Sequence, residues 1–159
     1  MDSQILILSH VAVSLAAIVS GLVVVYGLVS NRTMPGLTAF FLVTTVVTNV
    51  SGFFFHRDHL LPSHILAAIS IALLIPTLYG VYGAHLRGAW RGIYVAGAVA
   101  CLYVNVFVLI FQSFLKIPTL HALAPTESSE PAFAGAQGAA LLLFILAGIV
   151  SFRNFRPAG

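Results

Sequence analysis

Residues 5–30 read ILILSHVAVSLAAIVSGLVVVYGLVS, a run without a single Asp, Glu, Lys or Arg in which His10 is the one ionisable side chain apart from Tyr26. About 20 apolar residues in a helix suffice to cross the hydrocarbon core of a bilayer, so this stretch is long enough to span. Inside lipid the backbone must satisfy its own hydrogen bonds. A continuous apolar run does so as a helix, whereas a barrel strand would alternate polar and apolar positions. The preceding MDSQ is acidic if anything, and the apolar run exceeds a signal-peptide core, so the segment is expected to stay in the protein as a span.

The rest of the chain follows the same pattern. Of 159 residues, 60% are hydrophobic and only 7% charged, and the mean hydropathy is +1.05. A soluble domain carries about a quarter charged residues. The composition therefore predicts an all-α, polytopic membrane protein, with the lipid bilayer as its solvent. Five spans are predicted at about 5–30, 36–55, 62–86, 92–116 and 133–152, forming one domain over 1–159 with a long outer loop at 117–132.

The seven basic residues set the expected orientation. Arg32, Arg87, Arg91, Arg153 and Arg156 fall at one end of such a bundle, and Arg57 and Lys116 at the other. The positive-inside rule puts the five in the cytoplasm, leaving the N-terminus outside and the C-terminus inside. The acids Asp2, Asp58, Glu127 and Glu130 all lie towards the outer face. The pI of about 9.4 reflects this topology, and without a basic stripe it does not point to nucleic acid.

With that orientation, five of the six histidines gather at the outer side: His10, His56, His59, His64 and His121, with His85 alone at the inner end. The connection SGFFFHRDHLLPSHIL, residues 51–66, supplies three of them. Helical spacing puts His10, Ser14, Ala17 and Gly21 on one stripe of the first span. Thr45, Thr48, Asn49, Gly52 and His56 share one on the second, and Cys101, Asn105, Gln112 and Lys116 one on the fourth. Polar side chains in hydrocarbon turn towards the bundle interior. They predict an outer-half pocket lined by His10, Ser14, Asn49, His64, Asn105 and Gln112. Against this stands a purely structural role, in which the amides and hydroxyls tie helices together and a histidine shares one hydrogen bond with Asn49 or Gln112.

The loop KIPTLHALAPTESSEPAF, 116–133, is stiffened by Pro118, Pro125 and Pro131 and is long enough to act as a lid carrying His121 over the pocket. Pro76 predicts a kink in the third span near Ala72. Cys101, the only cysteine, reads as a packed apolar residue with no partner for a disulfide in the chain.

No phosphate-binding glycine loop, nucleophile elbow, HExxH or CxxC occurs. Imidazole chemistry remains. The phrases ILSHVAVSLAAIVSGLVVVYGL, SGFFF, LLPSH, YVNVFVLIFQSFLK and HALAPTESSEPAF resemble a group of small multi-pass bacterial inner-membrane proteins of unassigned function. That resemblance implies fold and location, and no activity. The chain departs from the group at His56 and His59, which shifts the expected site to His10 and His64.

The leading expectation is a redox protein with a periplasm-facing site for haem b, held by His10 and His64. A Zn, Cu or Fe ion would instead draw on His10, His64, His121, His56 and Asp58. The alternative is an accessory or assembly subunit of a larger membrane complex, with no cofactor. A proton-coupled transporter comes third, because the spans hold no carboxylate relay.

Overall fold

In the computed structural model, residues 2–53, 62–125 and 130–157 are described. They form helices α1 (Asp2–Val29), α2 (Pro35–Phe53), α3 (Pro62–Leu78), α4 (Ala89–Lys116), α5 (Pro118–Leu123) and α6 (Pro131–Asn154), with a π-helical turn, Tyr79–Gly83, extending α3. No strand occurs among the described residues. Five stretches are long and apolar enough to cross a membrane: Gln4–Val29, Pro35–Gly52, His64–Gly83, Ala89–Lys116 and Pro131–Asn154.

Local chemistry accounts for the breaks between helices. Pro35, Pro62, Pro118 and Pro131 each open a helix, where a missing N–H is no loss and the fixed φ suits the first turn. The end of α1 is a left-handed cap: Asn31 has φ 54°, and the Arg32 amide donates to Gly27 O at 2.8 Å. Asn tolerates that conformation better than most side chains.

Helices α1 to α4 form a ring in which each contacts the next and α1 also meets α4, while α6 lies outside along α4 and α1. Helix α4 is thus central, touching α1, α3, α5 and α6. Phe41 and Leu42 of α2, Leu28 of α1, Leu74 of α3 and Val95 and Leu102 of α4 fill the core. Two glycines allow this spacing. A Cβ on Gly21 would stand 2.6 Å from Leu102 Cδ1 and 2.7 Å from Phe41 Cε2, and one on Gly97 would overlap the Thr77 hydroxyl. Side chains larger than hydrogen at these points would push the helices apart.

One end of the bundle collects the arginine-bearing connections. Arg91 of α4 donates to Phe152 O at 3.0 Å and Phe155 O at 2.7 Å, and its guanidinium lies 5.1 Å from the Phe152 ring centre. Asn154 Nδ2 donates to Val29 O at 2.9 Å, which fastens the end of α6 to that of α1.

The third span departs from expectation at its arginine end. The α-helix runs through Pro76 and is followed by the π turn, where Gly80 comes close to α4; a Cβ there would be 3.2 Å from Trp90 O. His85 and Leu86 have φ of 49° and 58°, so the span ends before 86, and α4 begins at Ala89 instead of 92. The connection between α4 and α6 is also more structured than expected. It contains α5, and Ala124 packs with Phe114 of α4 and Phe133 of α6 in a second apolar cluster.

Candidate functional site

At the end opposite the arginines, α1 and α2 meet through His10. Its Nδ1 lies 2.7 Å from Ser51 Oγ, and Ser51 Oγ also donates to Thr48 O at 3.1 Å. Gly52 leaves room beside the ring, since a Cβ there would be 3.8 Å from His10 Cε1. One turn on, Ser14 Oγ donates back to His10 O at 2.7 Å. The imidazole is half-buried and held against the last turns of α2.

Deeper in the bundle a buried polar layer joins α2, α3 and α4. Asn49 Nδ2 donates to Ser70 Oγ and to Thr45 O, both at 2.9 Å. Asn105 Nδ2 donates to Thr45 Oγ1 at 3.3 Å. The Cys101 thiol points at Ser70 O, 4.0 Å away. Thr45, Ser70 and Cys101 are wholly buried, and Asn49 and Asn105 nearly so. A buried amide without a partner costs a few kcal/mol, so these bonds fix the rotation of three helices about their axes.

The expected pocket residues therefore divide. Asn49 and Asn105 come together around Thr45, whereas His10 and Ser14 sit on the α1–α2 seam, with the His10 side chain meeting Ser51. His64 is half-buried in the first turns of α3, Gln112 is half-buried on α4, and His121 is exposed on α5. His56, Arg57, Asp58, His59 and Glu127 lie outside the described residues. Among the described residues, no group of three or more His, Cys, Asp or Glu side chains could hold a metal ion.

Two participants were not assigned by sequence reasoning. Ser51 and Ser70 are partners of predicted residues, yet nothing in their spacing marks them, because a partner across helices is chosen by helix rotation. Apart from these, Gln137 of α6 is nine-tenths buried; its Nε2 donates to Phe107 O at 3.1 Å, and its Oε1 has no partner among the described residues.

What this arrangement can do chemically follows from its two levels. The polar layer is a set of interhelical ties. Above it sits an oriented imidazole on the seam whose α2 side leads, three residues beyond Ser51, into the histidine-rich connection 54–61. The chain matches no family model, no curated protein and no solved structure.

Proposed function

We propose that the chain is a bacterial inner-membrane protein with its histidine end at the periplasm, where His10 and His64 bind haem or a transition-metal ion in a redox role. The observation that carries this reading is the 2.7 Å contact between His10 Nδ1 and Ser51 Oγ. Histidines that ligate metals generally have the other ring nitrogen hydrogen-bonded, which fixes tautomer and ring plane. An ionisable side chain within a span is itself the usual mark of a functional position. The five arginines at the other end support the orientation through the positive-inside rule.

The test is an absorption spectrum with elemental analysis on protein extracted in mild detergent. A Soret band indicates haem, and a colourless protein with stoichiometric metal indicates the ion. Replacing His10 or His64 with Ala should abolish the bound species, while the double change at His56 and His59 should leave most of it. Finding neither haem nor metal would sink the reading.

A second reading, an accessory subunit of a larger membrane complex, is favoured by the engagement of Asn49 and Asn105 in interhelical bonds. It expects a fixed larger assembly in mild detergent and no bound cofactor.

A further inference from the structure

The arginine end contains a cavity of about 330 Å³ that the histidine reading leaves without a role. Its walls come from four separate segments: the end of α1, the α1–α2 turn with the start of α2, the α3–α4 connection with the start of α4, and the residues that follow α6. Leu28, Val81 and Phe155 line it with apolar surface, and the hydroxyls of Thr38 and Tyr94 lie 3.4 Å apart within it. Arg32, His85 and Arg87 border it and are exposed.

Charge narrows the occupant. The chain has four carboxylate side chains, Asp2, Asp58, Glu127 and Glu130, and all lie in segments leading to the histidine end. Arg91 is engaged with carbonyls of α6 and the residue that follows it, but Arg32 and Arg87 make no ion pair with a side chain among the described residues. The backbone at the rim is also held in a demanding shape, since His85 and Leu86 both adopt positive φ, a conformation that side chains larger than glycine's rarely take. That conformation carries the chain from the π turn to Arg87 at the cavity edge.

We propose that this cavity binds the headgroup of an anionic phospholipid, with the phosphate at Arg32 and Arg87 and the glycerol region against Thr38 and Tyr94. Guanidinium groups match phosphate oxygens in charge and geometry. A basic pocket between helices at the level of a membrane surface is a common form of headgroup site. The site is independent of the histidines at the other end.

The experiment uses the full chain in a neutral detergent and follows thermal unfolding and native mass spectrometry while short-chain phosphatidylglycerol is added. Saturable stabilisation and a retained lipid are expected, with phosphatidylcholine at equal concentration giving neither. The variant R32Q/R87Q should weaken phosphatidylglycerol binding about tenfold or more, a factor worth about 1.4 kcal/mol. R153Q, at the same end but outside the cavity, should leave it unchanged. Equal stabilisation by phosphatidylcholine, or equal weakening by R153Q, would overturn the proposal. Inorganic phosphate matching the lipid would overturn its assignment to a lipid.

Discussion

Gly97 of α4 lies so close to Thr77 of α3 that a Cβ on the glycine would overlap the threonine hydroxyl. Thr77 is wholly buried, and its Oγ1 donates to Leu73 O at 2.6 Å, so it has little freedom to move aside. Gly97→Ala should destabilise the bundle by about 1–3 kcal/mol, the usual range for overpacking. Adding Thr77→Ala should recover most of the loss, a coupling that thermal unfolding of the two single variants and the double would measure. Additive losses would show that the two residues do not share this contact.

Asn105 should tolerate Leu far better than Asp. Leucine removes one interhelical bond to Thr45, worth roughly 0.6 kcal/mol in a membrane bundle, whereas aspartate brings a charge costing about 2.5–3.5 kcal/mol at mid-span. Membrane yield of the two variants is the measurement. Equal, normal yields would place Asn105 outside the span or in water.

Arg91→Ala should loosen the end of α6. It removes two charge-assisted bonds, to Phe152 O and Phe155 O, and the contact with the Phe152 ring. A loss of about 1–2 kcal/mol is expected, concentrated locally. Hydrogen exchange at residues 151–155 should rise more than at the ring of α1 to α4. A uniform rise across all helices would mean that Arg91 holds the whole bundle.

If the proposed His10 site binds metal or haem, Ser51→Ala should lower its affinity by about 10–100-fold without removing it, as expected of a residue that orients a ligand. Titration of the apoprotein would give the ratio. An unchanged affinity would mean that the hydroxyl does not set the ring.

A reporter active only in the periplasm should function at the N-terminus and within 117–131, and stay silent at the C-terminus. The basis is five basic residues at one end against two at the other. Activity at the C-terminus alone would invert the orientation and move the histidine site to the cytoplasm.

The five helices long and apolar enough to span were legible because hydrocarbon imposes one strong condition, length of apolar helix, that the chain meets almost without interruption. The burial of Asn49 and Asn105 was legible for the same reason: an amide in such a helix must turn inward. Their partners were not. Ser70 and Thr45 meet the amides through relative rotation and register, which no single helix encodes. Helix α5 escaped notice because its six residues are too few to show a period, and the π turn, where Gly80 comes close to α4, because five residues show none either. The arginine-end cavity lay beyond reach since its walls come from segments up to about 130 residues apart.

The central position of α4 bears on how the protein is made. A ribosome delivers α1, α2 and α3 first, and α4 cannot join them until 116 residues have emerged from it. Until then Thr45 and Ser70, wholly buried in the finished bundle, face an unfilled seam, and the Asn105 bond does not exist. Inserted in order, the first three helices keep an open seam along Thr45 until α4 arrives, while Asn49 can already hold Ser70 across α2 and α3. Arrival of the fourth helix closes the ring, and α6 can only be laid down after it. A stall before α4 has emerged would leave the half-built protein open to membrane proteases, and one after it has emerged would not.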